Sequence, residues 1–372
     1  MNDTTLVLLG AGNSTRFGLK TKKQWLYIGE EPLWYFVTKQ FKKYGFKETI
    51  VVSSIQEIPY MKKFDTFAFV EGGETRQESL KNALQNVLTK YVLVSDIARC
   101  CIDHDMIQRI LDNKEKANCI VPALSISDTL YMDDSPANRE GAKLIQTPQL
   151  SETKLLVKAI QTDELFTDDS SAMHKSGYKI LFVEGSQNAH KLTFASDLEK
   201  LTCLKAPSLK TFTGFGIDTH PFEQNKPMYL CGEKIEENFG FKAHSDGDVA
   251  IHAIIDALLG AAGLGDIGEF FPDSDDKYKD IDSKELLKLC VEKVNSYGFA
   301  INNIDITILA EIPKISPYKE KMRQTLSGIL DINQRSVNIK ATTSESLGFI
   351  GRNEGISVHA VATLSYFNWA EI

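Results

Sequence analysis

The chain has 372 residues, 42% of them apolar and 25% charged, with a formal net charge of −8 at neutral pH. That length exceeds one ordinary core and predicts two domains, while the acidic balance excludes a nucleic-acid-binding surface and leaves phosphate binding to local basic clusters. Six cysteines, at 100, 101, 119, 203, 231 and 290, include no C-x-x-C pair, so reduced thiols in a cytosol are expected. The opening Met1-Asn2-Asp3 lacks the basic region of a signal peptide, and the apolar stretch over 249–265 is interrupted by His252 and Asp256. No membrane span and a cytoplasmic location are expected.

In chain order, strand-like runs at Leu6–Leu9, Thr49–Ser53, Phe67–Val70 and Tyr91–Val94 alternate with helical patterns over 32–44 and 76–88, which predicts a parallel α/β sheet. Directly after the first run comes Gly10-Ala11-Gly12-Asn13-Ser14-Thr15-Arg16-Phe17-Gly18, then Lys20, Lys22 and Lys23. Such a loop lets backbone N–H groups approach phosphates while the cations offset their charge. It lacks the Gly-Lys-Ser/Thr ending of a P-loop and the third glycine of a dinucleotide fingerprint, so alone it also fits a tight strand-to-helix connection.

The α/β rhythm decays over 204–211, around Pro207. Residues 1–207 are therefore read as one domain, 208–212 as a linker and 213–372 as a second domain of α+β or mixed α/β type. In the second, a strand precedes Asp218, helices cover about 247–262 and 283–297, and strands lie near 303–309, 336–341 and 356–366.

Asp218 and His220 sit two apart in a strand-like segment and share one face, while Asp248, His252 and Asp256 fall four apart on one helical stripe. One carboxylate and two imidazoles, Asp218, His220 and His252, suit a divalent metal with an open position. The same spacing is compatible with a hydrogen-bonded core histidine and solvated aspartates, and spacing alone does not decide.

The first domain resembles the 2-C-methyl-D-erythritol 4-phosphate cytidylyltransferases, nucleotidyltransferases with a Rossmann-like sheet. The resemblance is carried by Gly10-Ala11-Gly12 with Arg16, Lys23-Gln24, Gly72-Gly73-Glu74-Thr75-Arg76 with Ser79, Asp96-Ile97-Ala98-Arg99, Arg139 before Thr147-Pro148-Gln149, Thr167-Asp168-Asp169, and Lys191-Leu192-Thr193. It implies attack of the 4-phosphate of methylerythritol phosphate on the α-phosphorus of CTP, with release of diphosphate and help from Mg²⁺. It assigns Arg16, Lys23 and Lys191 to the triphosphate and its developing charge, and Asp96 to the ribose, metal or alcohol hydroxyls. Gly10, Ala11, Gly73 and Ser79 would frame the cytosine, with Gly12, Glu74 and Arg99 in the same binding set. Arg139 and Thr167 would hold the acceptor phosphate, across a subunit boundary as in that family. Leu9, Glu74, Ile97 and Cys100 depart from the family's usual residues.

The second domain resembles the 2-C-methyl-D-erythritol 2,4-cyclodiphosphate synthases, through Gly216-Ile217-Asp218-Thr219-His220, Ala243-His244-Ser245-Asp246-Gly247-Asp248, His252, Gly265-Asp266-Ile267-Gly268, Phe271-Pro272-Asp273, Lys340-Ala341-Thr342-Thr343-Ser344-Glu345, and Gly348-Phe349 with Gly351-Arg352. It implies that the 2-phosphate of a CDP-alcohol attacks the β-phosphorus and CMP leaves. By that resemblance Zn²⁺ would sit on Asp218, His220 and His252, with a second ion, Mg²⁺ or Mn²⁺, at Glu345. Thr343 would orient the α-phosphate, with Thr342 beside it. His244 and Ser245 would hold the attacking phosphate, and Asp266, Gly268 and Asp273 the alcohol. Cytosine would rest on the backbone of Ala310, Pro313, Lys314 and Ile315, where Ser316 is a departure, with Phe349 and Arg352 completing the binding set.

The whole chain is thus expected to be a bifunctional enzyme acting on CTP, methylerythritol phosphate and the CDP-alcohol 2-phosphate. Homo-oligomers are implied, a trimer for the cyclase and dimer contacts for the cytidylyltransferase. The competing classes are a metal-dependent phosphohydrolase with a nucleotide-sensing domain and a noncatalytic nucleotide-binding scaffold.

Overall fold

The structure, a computed structural model, describes residues 1–243, 246–272 and 281–372, so His244, Ser245 and Asp273 lie outside the described residues. The chain divides into two units, Met1–Ala206 and Pro207–Ile372.

In the first unit the apolar runs become strands because only the centre of a sheet covered on both faces removes every one of their side chains from water. The strands used below are β1 (Thr4–Leu9), β2 (Glu48–Ser53), β3 (Ala68–Glu71), β4 (Tyr91–Asp96), β5 (Cys119–Ser125), β6 (Lys143–Ile145), β7 (Gln149–Glu152) and β8 (Ile180–Glu184). All six residues of β1 and all six of β4 are buried. The sheet order is β6-β5-β7-β4-β1-β2-β3, with β8 also on β5. β4, β1, β2 and β3 run parallel, as the alternation predicts.

Beyond these four strands the sheet is mixed, with β7 lying antiparallel between β4 and β5. It enters just after Thr147-Pro148 without a crossover helix, which an antiparallel neighbour does not need. Helix α1 (Leu33–Lys42) buries Leu33, Trp34, Val37 and Phe41 at helical spacing. Helix α2 (Arg76–Leu84) begins at a capping box in which Thr75 and Glu78 each accept the other's backbone N–H at 3.1 Å.

The expectation of six reduced thiols is corrected. Cys101, just after the loop that follows β4, and Cys203, 102 residues later, form a disulfide. Adjacent cysteines in sequence concealed that pairing, because the second partner arrives only through tertiary folding. Cys100, Cys119, Cys231 and Cys290 are free and buried.

In the second unit, β9 (Thr211–Gln224), β10 (Phe239–Phe241), β11 (Phe299–Leu309), β12 (Val337–Thr342) and β13 (Gly355–Tyr366) form a five-stranded sheet ordered β10-β9-β13-β11-β12. Only β11 and β12 are parallel; the other pairings are antiparallel. The expected linker at 208–212 is shorter than predicted, since Thr211 and Phe212 already belong to β9. Phe212 packs edge-to-face on Phe299 and Tyr366, and that aromatic burial draws the segment into the sheet.

Helix α3 (Val249–Ala262) lies on β9 and buries Val249, Ile251, Ile254, Ile255, Leu258 and Leu259 completely. Its approach is set by two strand glycines. A Cβ on Gly214 would stand 2.0 Å from the Ala257 carbonyl oxygen, and one on Gly216 2.1 Å from that of Ala253. Backbone meets backbone there, and the next residues on the same strand face are Asp218 and His220. No helix among the described residues is long and apolar enough to cross a membrane.

Candidate active sites

The carboxyl ends of parallel strands are where open α/β sheets bind ligands, and the first site is built there. A cavity of 370 Å³ is lined by Gly10, Ala11, Gly12, Arg16 and Lys23 after β1, by Gly73, Glu74, Arg76 and Ser79 around the start of α2, and by Asp96, Ile97 and Lys191. Ser79 Oγ accepts the Gly73 N–H at 3.1 Å, fixing the glycine turn against the helix.

Arg16, Lys23 and Lys191 are close enough to repel one another. Burial first, then the charges of Lys191 and Arg16, pushes the Lys23 ammonium below the usual lysine value. A polyphosphate would relieve that repulsion. Lys23 Nζ donates to the Leu192 carbonyl at 3.2 Å, and Lys191 Nζ to Asp96 Oδ2 at 2.7 Å. Burial alone would raise the Asp96 carboxyl, but Arg76 and Lys191 beside it bring it down to about 2.

Lys22, read in the sequence as part of the phosphate cluster, is instead committed to a buried acid. Its Nζ lies 2.8 Å from Glu57 Oε1, and Glu57 also accepts from Gln24 and Ser53. Arg99 lines a neighbouring pocket of 360 Å³ that shares Lys191 with the first. Arg139 and Thr167 line neither cavity; Arg139 donates to the carbonyl of Ser127 on an exposed segment. Of the departures, Leu9 and Ile97 line the cavity and Ile97 N bonds Leu9 O at 3.0 Å, whereas Cys100 is fully buried.

The second site stands where β9 meets α3. Asp218 Oδ2 lies 3.1 Å from His220 Nε2 and 3.1 Å from His252 Nδ1. One ligand atom from each of the three residues falls within 4.8 Å of the others. The remaining ring nitrogens are held from behind, His220 Nδ1 at 3.1 Å from the Gly247 carbonyl and His252 Nε2 at 3.2 Å from Ser283 Oγ. Ser283 donates in turn to Asp246. Converging carboxylate and imidazole atoms, with each ring orientation fixed by its other nitrogen, fit a divalent cation. Burial opposes the Asp218 charge, but the two imidazoles hold its carboxyl well below the usual range.

Of the helical stripe read from the sequence, Asp248 has a different task. It is fully buried and its carboxylate accepts the N–H groups of Cys231, Gly232, Ala250 and Ile251, capping α3 and tying down the Cys231-Gly232 turn. Asp256 accepts the Ile267 N–H at 2.8 Å, and Asp266 caps the short helix that contains Gly268.

At the end of β12, Thr343 Oγ1 donates to Glu345 Oε1 at 2.7 Å. Glu345 and Ser346 have φ of 51° and 65°, and Glu311 stabilises this left-handed turn by accepting from Ser344 N, Ser344 Oγ and Ser346 N. Thr342 O accepts from Ala310 N at 3.0 Å, which brings the two strands' loops together. Pro313 and Ile315 are buried, Lys314 and Ser316 exposed, and Phe349 is 39% exposed. Arg352 pairs with Glu354 at 2.8 Å.

Sequence reasoning missed Ser283, the Gly247 carbonyl, Glu311 and Glu57. Each acts through a hydrogen bond across distant segments, and Ser283 was visible only as the start of a helix (Ser283–Ser296).

A cationic cavity at parallel strand ends and a carboxylate-imidazole cluster fit for a divalent ion on a separate α+β sheet agree with a two-domain enzyme of the nucleotidyltransferase and lyase types. The family model for 2-C-methyl-D-erythritol 4-phosphate cytidylyltransferase matches residues 4–203, and that of the YgbB family matches residues 211–365. The chain is 59% identical over 372 residues to the bifunctional enzyme IspD/IspF of Sulfurovum sp., covering all of both chains. It is 54% identical to that of Campylobacter concisus, again over all of both. The solved structure of the bifunctional IspDF from Campylobacter jejuni superposes with a TM-score of 0.94 at 49% identity, covering 99% of this chain and 100% of the other. This chain belongs to the bifunctional IspD/IspF family.

Proposed function

We propose that the N-terminal site joins CTP to 2-C-methyl-D-erythritol 4-phosphate with release of diphosphate. The C-terminal site closes the CDP-alcohol 2-phosphate into a 2,4-cyclodiphosphate with release of CMP. The observation that carries the reading is the convergence of Asp218 Oδ2, His220 Nε2 and His252 Nδ1 in a chain whose other unit holds a cationic nucleotide cavity.

In the first reaction Arg16, Lys23 and Lys191 bind the triphosphate and stabilise charge on the attacked phosphorus, which needs positioning more than covalent chemistry. Asp96 steers Lys191 and would take Mg²⁺ or the substrate hydroxyls. Gly10, Ala11, Gly73 and Ser79 hold cytosine by close backbone contact. Arg139 and Thr167, outside this chain's own cavity, serve a neighbouring subunit's acceptor phosphate.

In the second, Asp218, His220 and His252 hold Zn²⁺, which when bound supplies Lewis acidity toward a diphosphate oxygen. Thr343 orients the α-phosphate, and Glu345 takes part in holding a second divalent ion. The Ala310–Ile315 loop presents backbone to cytosine.

The chain assembles as a homo-oligomer through the outer face of β9. Phe215 and Ile217, 57% and 50% exposed, project there from alternate positions beside the metal-binding residues. Its compartment is the cytoplasm.

Purified protein tests this directly. Diphosphate release from CTP plus methylerythritol phosphate, and CMP release from the CDP-alcohol 2-phosphate, are both expected; inorganic phosphate release without ring closure contradicts the reading. Light scattering that finds only monomer contradicts the assembly.

A further inference from the structure

The roles above leave Arg76 and Asp169 unused. Asp169 is the first residue of a helix (Asp169–Lys175) and is 1% exposed, and its Oδ1 accepts from Arg76 Nη1 at 2.7 Å. Arg76 Nε reaches the other way, 3.3 Å from Asp96 Oδ1, while Asp96 Oδ2 holds Lys191. The guanidinium is therefore shared between two buried carboxylates. Asp169 Oδ2 and Arg76 Nη2 are both buried without a partner. A pair arranged for its own strength would join both oxygens to both nitrogens; this one gives up its second bond and aims Asp96.

The next residue completes the arrangement. Gln77 Oε1 accepts the Phe166 N–H at 2.9 Å, and Gln77 Nε2 donates to the Glu164 carbonyl at 3.1 Å. Arg76 and Gln77, in the capped first turn of α2, thus grip the chain on both sides of Thr167. We infer that Asp169 is a positioning residue of the cytidylyltransferase half, acting through Arg76 to fix Asp96 and the Thr167 turn to one helix turn. The inference rests on the reading of that half given above, in which Thr167 serves an acceptor phosphate.

Steady-state kinetics on the full chain tests it with Asp169→Asn, which keeps size and removes charge, and Arg76→Lys, which keeps charge and removes the second bond. Both variants are expected to lower kcat/KM for diphosphate release by about tenfold or more, with KM for the acceptor rising more than KM for CTP. Asp169→Glu should restore part of the loss, and CMP release by the cyclase half should stay at the wild-type rate. Wild-type kinetic constants accompanied only by a lower Tm overturn the inference, as does equal loss of both activities in both variants. Wild-type protein that releases no diphosphate overturns the reading of the whole half, a result distinct from an unaffected variant in an active enzyme.

Discussion

Each imidazole of the candidate metal site in the C-terminal half is oriented through its other ring nitrogen, His220 by the Gly247 carbonyl and His252 by Ser283, a residue outside the sequence motifs. Ser283 Oγ stands behind His252, and Asp246 accepts from Ser283. Partners of this kind fix the tautomer and the ring plane, and losing one typically weakens metal binding by about 10- to 100-fold. Under the proposed metal assignment, Ser283→Ala is expected to release the divalent ion to a competing chelator about that much more readily; unchanged affinity by calorimetric titration contradicts the assignment.

Asp197 illustrates a different residue-scale effect. Its carboxylate accepts from Thr193 N, Phe194 N and His190 Nε2, each at 2.9 Å, and so shapes the segment just after Lys191. Burial opposes its charge, but these donors hold the carboxyl well below the usual range. A depressed folded value means the stabilisation is complete above the unfolded pKa of about 3.9 and is lost as pH falls through the folded value. Asp197→Asn should therefore cost about 2 kcal/mol in urea unfolding at pH 7. The gap to wild type should narrow on acidification below about pH 4. A gap constant with pH would refute the ionic origin.

At the scale of elements, the packing of α3 on β9 brings the three residues of the candidate metal site together. Because Gly214 and Gly216 let the two backbones touch, His252 reaches the strand face that bears Asp218 and His220. Gly216→Ala places a methyl against the Ala253 carbonyl, and relieving that overlap should cost about 3 kcal/mol. The helix must shift, so metal affinity should fall with stability. Lower stability with wild-type metal affinity would show that the close approach is not what positions His252.

The legibility of the sequence follows the same division. Apolar runs such as Leu6–Leu9 and Val92–Val94 read as strands because burial on both faces leaves no alternation, and the spacing of Asp218 and His220 reported their shared face. What stayed hidden depends on distant segments meeting: β7 entering antiparallel, Cys203 reaching Cys101, Glu57 claiming Lys22, and Asp248 buried and accepting four backbone N–H groups instead of lying on a solvated face. The strand also starts earlier than the sequence suggests, because the polar stretch around Pro207 gives no sign that Phe212 will meet Phe299 and Tyr366.

For the whole molecule, the two units contain separate cores and separate chemistries, and family models match each unit nearly end to end. The reactions are not consecutive, since the cyclase substrate carries a 2-phosphate that the cytidylyltransferase product lacks. Direct hand-over of product from one site to the other is therefore not required by the arrangement. The central claim is that one chain contains two independent catalytic centres, one organised by Lys23 and the other by His252. Measuring diphosphate release and CMP release in parallel on wild type, Lys23→Ala and His252→Ala tests it most directly. Lys23→Ala should reduce the first activity by about 100-fold or more and spare the second, with the reverse for His252→Ala. Retention of both activities in either variant, or their joint loss in a folded protein, would contradict the account.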